Sequence, residues 1–301
     1  MLFWFTLLLF WCKQGATVES IEGELIRSSG IPVPPRDEQT TIVGYLDRET
    51  ARIDALIEKK TRFIQLLKEK RQALITQAVT KGLDPTVPMK DSGVEWIGEV
   101  PVHWEVFRVG MCFREVRRTG RHDLPVLSIS IHSGITDDEL SPEERDRKVS
   151  LIEDRSKYQR VVPGDLAYNI MRAWQGGFGA VMVEGLVSPA YVVAAPTKSF
   201  DTRYVELLLR TSAAIEEMRR FSKGVADFRW RLYWENFKDM AICLPPPPEQ
   251  REIMDWIEAQ TQRIDEIATK SNRSVELLKE RRSALITAAV TGQIDLREGA
   301  V

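Results

Sequence analysis

The segment LLKEKRQALIT at residues 66–76 returns almost unchanged as LLKERRSALIT at residues 277–287. Outward from these segments, the register holds without a gap from Glu38 to Asp84 and from Glu249 to Asp295, and roughly half of the aligned positions are identical. A proline-rich stretch precedes each copy, IPVPPRDEQ up to residue 39 and LPPPPEQ up to residue 250. The chain therefore contains an internal repeat on either side of a block that is not repeated, the pattern of a spacer that holds a separate domain.

Both copies of the repeat have the pattern of a long helix. Proline is tolerated in a first helical turn and glycine ends a helix, so the prolines and the glycines Gly82 and Gly292 bound helices of about 42 residues, or about 60–65 Å. Apolar residues recur at steps of three, four and seven, which predicts a heptad-like seam. The seam residues are Ile42, Leu46, Ile53, Ile57, Ile64, Leu67, Leu74 and Ala78 in the first copy and Ile253, Ile257, Ile264, Ile267, Val275, Leu278, Leu285 and Ala289 in the second.

Each predicted helix has to bury its apolar stripe against another surface, because a lone helix of this length cannot bury it. The two helices most simply pack on each other. Antiparallel pairing is favoured, since the block between them returns the chain; parallel pairing and pairing with another chain stay open. Core packing alone accounts for the leucines of the repeated segment, so we assign a face for partner proteins to charged residues there. These are Lys68, Glu69, Lys279 and Glu280.

The composition is typical of a globular protein, and the net charge lacks the excess of basic residues that many nucleic-acid-binding proteins have. The chain has 301 residues, 43% hydrophobic and 29% charged, with a formal net charge of −2, so nucleic-acid binding would require basic residues gathered on one face or a partner. The three cysteines and three histidines are scattered and match no metal or disulfide spacing, which fits a reducing, cytoplasmic setting. The sequence contains neither a phosphate-binding loop nor a nucleophile elbow, and we predict no catalytic residues and no metal site.

The chain begins with the apolar run MLFWFTLLLFWC, which resembles a targeting segment. The apolar run is shorter than the about 20 residues that cross a bilayer, and no cation precedes it as in a signal peptide. We interpret this run as a core helix separated from its domain, and we expect no association with a membrane.

Residues 85–243 have the pattern of a mixed α/β domain with many glycine-marked turns. Two stretches in it are both basic and aromatic, residues 169–176 and residues 219–234. Arginine and glutamine read purine edges by paired hydrogen bonds, and lysine and arginine hold phosphates. The alternative is that the aromatic residues belong to a core and the arginines to a solvated rim. The candidate DNA contacts are Arg172, Gln175, Lys223, Arg229 and Arg231, with His132 after VLSISI as a weaker candidate.

The order of these parts is similar to that of a known family. A Pro-Pro-x-x-Glu-Gln start and a long helix are followed by DSGVEWIGEVPVHWEVFRVG at residues 91–110, GDLAYNIMRAWQGGFGAV at residues 164–181 and VSPAY at residues 187–191, and then by a second such helix. Over almost the whole chain, this order resembles the specificity subunit of type I restriction–modification systems. The resemblance implies an α+β fold in which a mixed α/β target-recognition domain is flanked by two long helices that form an antiparallel coiled coil.

In that family, two recognition domains alternate with two helices, and each domain reads one half of a split DNA sequence. The resemblance therefore implies a non-catalytic subunit that binds double-stranded DNA and docks modification methyltransferase subunits and a restriction translocase-nuclease subunit. It implies no cofactor on this chain, with S-adenosylmethionine, ATP and Mg²⁺ on the partner subunits. The residues predicted to pair the helices and support docking are Ile53, Ile57, Leu67, Leu74, Ile264, Leu278 and Leu285, beside the four charged residues above.

The sequence departs from the family because it contains one complete recognition domain. We divide the chain into a remnant of a first recognition domain (residues 1–33), the first long helix (34–85), the recognition domain (86–244) and the second long helix with its tail (245–301). A truncated product, a fragment from a recombining locus and a half-subunit that pairs with itself all stay open. So does another function, a coiled-coil scaffold whose central domain binds protein rather than DNA.

Overall fold

The computed structural model describes residues 33–131, 134–136, 154–224 and 230–296. Residues 1–32 of the predicted remnant (1–33), with its apolar start, lie outside the described residues, as do His132 and Arg229. The chain divides into two compact units. Unit 1 comprises residues 1–69 and 263–301, and unit 2 comprises residues 70–262.

The described elements combine helices with runs of short antiparallel strands and confirm the predicted α+β class. In chain order they are α1 (Arg36–Lys81), β1 (Met89–Asp91), β2 (Glu99–Pro101), β3 (Glu105–Arg108), α2 (Val109–Cys112), β4 (Phe113–Glu115), β5 (Ile129–Ser130), β6 (Gly134–Ile135), β7 (Gln159–Val161), β8 (Leu166–Asn169), β9 (Phe178–Ala180), β10 (Gly185–Val187), β11 (Tyr191–Pro196), α3 (Thr202–Leu209), α4 (Ser212–Phe221), α5 (Trp234–Phe237), β12 (Ala241–Leu244) and α6 (Pro247–Val290). Short 3-10 helices lie at Arg155–Lys157 and Ala173–Gln175.

The two repeated segments form the two long helices that the sequence predicts. Helix α1 has 46 residues and helix α6 has 44, slightly more than predicted. The acidic side chains of Asp37 and Glu38 lie in the first turn of α1, where they favour the positive end of the helix dipole, and Lys81 lies in its last turn. No helix among the described residues is long and apolar enough to span a bilayer.

In unit 1 the seam follows the predicted heptad-like spacing, with two corrections. Ile267 is exposed, and Ala268 takes the position on the seam, because steps of four and three from Ile264 reach residues 268 and 271. Leu66 and Leu277 are 46% and 48% exposed, so core packing does not account for them, contrary to the prediction. Of the predicted pairing residues, Ile53, Leu67 and Ile264 are buried, and Ile57, Leu278 and Leu285 are half-buried, as is Leu74 in unit 2.

An ion pair joins the two helix segments of unit 1. Arg282 donates from Nε and Nη2 to the two carboxylate oxygens of Asp54, at 2.8 and 3.1 Å. This two-point geometry fixes the register of one helix against the other more tightly than a single contact would. Both side chains remain substantially solvated, so the ion pair adds little to the stability of the helix pair. Its main effect is to fix the register of the two helices.

We expect Arg282→Ala to lower the free energy of unfolding by at most about 1 kcal/mol, because the ion pair is exposed. Urea unfolding followed by circular dichroism measures the loss, which shrinks in 1 M salt as the charges are screened. The matched control is Arg281→Ala, which removes the exposed neighbouring arginine. An equal loss in both variants would contradict a specific role for the ion pair.

In unit 2 the end of α1 lies against the start of α6. Gly82 ends α1 with a φ of +77°, and a Cβ on this residue would lie 3.5 Å from Glu249 Oε1 and 3.5 Å from the Trp104 ring. The last turns of α1 and the first turns of α6 share one hydrophobic cluster, whose helix residues are Ile75, Ala78, Val79, Ile253, Met254 and Ile257. Within unit 2 the end of one helix thus meets the start of the other, as the antiparallel arrangement predicted from the sequence requires.

The core of unit 2 is built around a four-stranded antiparallel sheet in the order β4-β11-β8-β9. Side chains alternate between its two faces because the strand period is two. Leu166 and Tyr168 of β8 join the large cluster that includes α1 and α6, whereas Ala167 joins a second cluster with Val161 and Val193. Strand β12 pairs with β3, which ties the chain before α6 to the chain after α1.

Candidate nucleic-acid interface

The structure brings together the two basic and aromatic stretches of unit 2. Lys223 and Arg231 face each other across an antiparallel backbone bridge, with both N–H to O distances at 3.0 Å. The next residue, Leu232, donates its backbone N–H to the carbonyl of Ile170 at 2.9 Å. Residues 170–175 are therefore neighbours in space of residues 223 and 230–232, although about 50 residues separate them in sequence.

The loop from residue 169 to residue 177 is held by its own backbone. The carbonyl of Arg172 accepts from the N–H groups of Gln175 and Gly177 at 2.9 and 3.0 Å, and Asn169 accepts from the N–H of Arg172. A Cβ at Gly177 would lie 2.9 Å from the Arg172 carbonyl oxygen, so this turn requires glycine. The half-buried Arg172 and the exposed Gln175 are consequently presented from a fixed backbone.

An aromatic pair joins the two stretches beside these polar side chains. The rings of Trp174 and Trp230 meet edge to face with centroids 5.6 Å apart, and the Arg219 guanidinium lies over the Trp174 ring at 5.6 Å. The indole of Trp174 donates to the carbonyl of Met171 at 2.9 Å. Sequence reasoning noted these residues only as part of a stretch, because a ring contact between residues so far apart leaves no local pattern.

The exposed cations of the site retain freedom to meet a ligand. Lys223 and Arg231 are both exposed. Among the described residues, the only side-chain hydrogen bond of Arg231 is a long one, 3.5 Å, to the Tyr233 hydroxyl. Arg219 and Arg220 pair with acidic residues of their own helix, Glu216 at 2.9 Å and Glu217 at 3.3 Å. Lys223, Arg231 and Arg172 are therefore better placed than Arg219 to bind an anion.

A cleft of about 330 Å³ adjoins the loop, since Ile170 lines it. Arg117 and Arg118 also line this cleft, with Gln159 and Tyr191. The buried carboxylate of Asp165 holds Arg118 in place through two hydrogen bonds, at 2.5 and 3.2 Å. Arg117 remains largely exposed and adds a cation that was not predicted from the sequence.

The segment next to His132 is anchored to the sheet by a half-buried ion pair. Arg210 donates to the carbonyl of Ile131 at 2.9 Å and to Glu206 at 3.1 Å, and Glu206 also accepts from the N–H of Ala180. Burial raises the pKa of Glu206, although the hydrogen bonds and the Arg210 charge oppose that shift. His132 itself lies outside the described residues, so its candidacy stays a prediction.

Neither a metal centre nor a reactive thiol is visible in the part of the chain that the structure describes. No group of three or more metal-ligating side chains occurs among those residues. Cys112 and Cys243 are buried free thiols, and burial raises the pKa of each to about 11. Both thiols are therefore protonated and unreactive at neutral pH.

The repeated helices carry a second candidate surface, in unit 1. The predicted partner residues Lys68, Glu69, Lys279 and Glu280 are all exposed. The exposed leucines Leu66 and Leu277 occupy equivalent positions of the two copies, and so do the exposed apolar residues Leu56 and Ile267. The same two positions are thus apolar and solvent-facing in both copies, as in surfaces that bind another protein.

Comparison with known proteins gives a consistent resemblance. No protein-family model matches the chain. The curated specificity subunit of the type I restriction enzyme EcoKI from Escherichia coli (strain K12) is 23% identical over 94% of this chain. The chain spans 61% of the length of that relative.

One solved structure gives a matching result for the fold. A chain from a study of complex assembly and conformational transition of the type I R-M system has a TM-score of 0.65, with 15% identity, over 95% of this chain and 67% of its own length. The HsdS subunit from Thermoanaerobacter tengcongensis gives a TM-score of 0.49, with 16% identity, over 96% of this chain and 67% of its own length. The resemblance drawn from the sequence motifs is thereby confirmed, and the fold is shared with the first of these structures.

Proposed function

Because the chain resembles a type I specificity subunit in sequence and in fold, we propose that it is the DNA sequence-recognition subunit of a type I restriction–modification complex. It reads part of a bipartite site with unit 2 and docks the partner subunits on its long helices, without catalysing a reaction. The observation that carries this proposal is the convergence of the 169–177 loop with Lys223, Trp230 and Arg231 into one basic and aromatic surface. Because the target of this subunit is DNA, we assign the complex to the cytoplasm.

The chemistry of this surface suits a DNA major groove. Arg172 and Gln175 carry the paired donors and acceptors that distinguish guanine and adenine edges, and a fixed loop lowers the entropy lost on binding. Lys223 and Arg231 supply positive charge beside them for phosphate oxygens, which position a protein on DNA without reading its sequence. Because the formal net charge of the chain is −2, this local cluster matters more than the overall charge.

Two substitutions separate base reading from phosphate binding. We expect Arg172→Ala to weaken binding to the cognate site by about 1–3 kcal/mol and to relax specificity at one base position. Lys223→Ala is expected to weaken binding to all sequences alike and to reduce the salt dependence by about one counterion. The measurement is a competition titration with duplexes substituted at each position, on the chain assembled with its methyltransferase subunits.

The matched control for both substitutions is Arg203→Ala, which removes an exposed arginine of α3 outside this surface. It should leave affinity and specificity unchanged. Equal effects of Arg172→Ala on cognate and random DNA would contradict base reading by that residue. Mapping of methylated adenines in cells that carry each variant gives an independent readout.

The docking part of the proposal concerns unit 1. The exposed apolar pairs Leu56 with Leu66 and Ile267 with Leu277 recur at equivalent positions of the repeat, and charged residues border them. We assign these two surfaces to two modification methyltransferase subunits, with a restriction translocase-nuclease subunit joining the assembly. S-adenosylmethionine, ATP and Mg²⁺ belong to those partners in this scheme.

One observation favours a second candidate function, a scaffold whose central domain binds protein. Met171 is exposed beside Trp174 and Trp230, and methionine, tryptophan and arginine are enriched in protein–protein interfaces. This function predicts no DNA footprint and no change in DNA affinity when Arg172 or Lys223 is replaced. The competition titration above therefore distinguishes the two candidates.

A further inference from the structure

Arg118 is held in one orientation by a carboxylate in the interior of unit 2. The side chain of Asp165 is 1% exposed, and its oxygens accept from Nη1 and Nη2 of Arg118 at 2.5 and 3.2 Å. The same carboxylate accepts from the backbone N–H of Val162 at 2.9 Å, which fixes Asp165 in turn. A two-point contact of this kind sets both the plane and the direction of the guanidinium. Arg118 therefore has less rotational freedom than an arginine on an open surface.

The backbone around Arg118 is also fixed. Its carbonyl accepts from the N–H of Arg160 at 2.9 Å, and the next residue, Thr119, forms an antiparallel backbone bridge to strand β7. A Cβ at Gly120 would lie 2.2 Å from the carbonyl oxygen of Arg155, so the segment passes too close to its neighbour for any residue but glycine. The position of the Arg118 guanidinium is thus set before a ligand binds.

Arg118 still offers a pair of donors on the edge that Asp165 does not use. A guanidinium carries N–H donors on all of its nitrogens, and Asp165 takes one from each terminal nitrogen. No acceptor among the described residues binds Nε or the second N–H of Nη2. These two N–H groups are parallel, as in the contact of Arg282 with Asp54. Because Arg118 is 29% exposed and lines the cleft of about 330 Å³, a ligand in that cleft can reach them.

The cleft that Arg118 lines adjoins the candidate interface. Ile170 lines the cleft and belongs to the loop that carries Arg172. Tyr191 lines it too, and pairs in the sheet with Asn169, the first residue of that loop. Burial raises the pKa of Tyr191, and the charge of Arg172 is among the influences that oppose the shift, so Arg172 lies near the same cleft. Arg118 therefore belongs to the surface that we assign to DNA.

The charge of Asp165 decides which part of DNA suits Arg118. Because the carboxylate offsets the positive charge of the arginine, the pair gains little from the release of counterions that accompanies a phosphate contact. The two parallel donors keep their geometry, which matches the O6 and N7 acceptors of a guanine edge. The neighbouring Arg117 is the opposite case. It is 85% exposed and lies 3.8 Å from the Glu115 carboxylate, so it keeps more of its charge for a phosphate.

We propose that Arg118 reads a guanine in the major groove through Nε and Nη2, and that Asp165 is its positioning residue. This assignment rests on the proposed function and adds to it a base-reading residue apart from Arg172. Arg117 holds a phosphate close to the base that Arg118 reads. The DNA sequence recognised by unit 2 then contains a G·C pair whose guanine faces this cleft.

The test selects duplexes from a pool of randomised sequence, using the chain assembled with its methyltransferase subunits. Arg118→Lys keeps a positive charge beside Asp165 but has no parallel donors. We expect the wild type to enrich a motif that contains a G·C pair, and Arg118→Lys to lose the preference for that pair about 10- to 100-fold while the rest of the motif is kept. The matched control is Arg121→Lys, because Arg121 forms a similar two-point pair with the exposed Asp123 outside the cleft. It should enrich the wild-type motif.

Asp165→Asn separates a positioning role from a structural one. The substitution leaves Arg118 with an uncompensated charge and a looser orientation. We expect the affinity for random duplexes to rise about threefold, with a salt dependence steeper by about one counterion. The preference for the G·C pair should fall about tenfold. A carboxylate that serves the fold alone would, on removal, lower the affinity for all duplexes or leave it unchanged.

The outcomes distinguish this assignment from the proposed function. A wild type that enriches no motif overturns both together. A wild-type motif that Arg118→Lys enriches unchanged overturns guanine reading alone and leaves the roles of Arg172 and Lys223 standing. Retention of the G·C preference in Asp165→Asn overturns the positioning role. Arg118→Lys decides guanine reading by itself even where Asp165→Asn does not fold.

Discussion

Replacing Trp104 with alanine is expected to lower the free energy of unfolding of unit 2 by about 3–5 kcal/mol. The side chain is fully buried in the cluster that joins the sheet to α1 and α6. Its removal leaves a cavity, and the Glu249 carboxylate loses the indole donor at 3.0 Å. The variant therefore combines lost apolar burial with a partly buried acceptor whose remaining side-chain partner is His103.

Urea unfolding followed by tryptophan fluorescence and by circular dichroism measures this loss. Trp104→Phe keeps most of the buried volume and removes the hydrogen bond, and we expect it to cost about 1–3 kcal/mol. His103→Ala is the matched control, because it removes the other, more exposed partner of the same carboxylate and should cost at most about 1 kcal/mol. If Trp104→Ala cost no more than His103→Ala, the indole would not be the anchor that we describe.

The long helices could be predicted from the sequence because their signals are local and occur twice. Prolines, glycine caps and apolar spacing placed Ile53, Leu67 and Ile264 on a seam, and all three are buried. The errors have an equally local cause. Where two apolar residues are adjacent, as at Leu66 and Leu67, spacing alone does not say which one faces the partner helix, and only Leu67 is buried.

Contacts across the fold could not be predicted from the sequence. The bond between Trp104 and Glu249 spans 145 residues, and no periodic pattern encodes such a pairing. The candidate interface could be predicted from the sequence only in part. Its two stretches are visible in the sequence as basic and aromatic runs, but their adjacency depends on the bridge between Lys223 and Arg231 and on the bond from Leu232 to Ile170. The role of Arg117 beside them emerges only from the folded sheet.

The double substitution Leu66→Asp with Leu277→Asp is expected to weaken binding of the methyltransferase subunits about 1,000-fold, or about 4 kcal/mol. Each leucine is about half exposed in the chain itself, so the substitutions leave the folded structure nearly unchanged. In a complex that covers these positions, each aspartate would bury an unpaired charge against an apolar partner. Isothermal titration of the variant with purified methyltransferase subunit measures the loss.

The repeat also predicts how many methyltransferase subunits remain bound, in addition to the loss of affinity. Because Leu66 and Leu277 are equivalent positions of two copies, each single substitution should disable one docking surface and leave one methyltransferase subunit bound instead of two. Mass measurement of the assembled complex reports that stoichiometry directly. The control is Leu83→Asp with Met182→Asp, which places the same charges at two exposed apolar residues of unit 2 and should leave two subunits bound. Two bound subunits in either single variant, with unchanged affinity, would contradict docking through these leucines and would restrict the partner face to the charged residues Lys68, Glu69, Lys279 and Glu280.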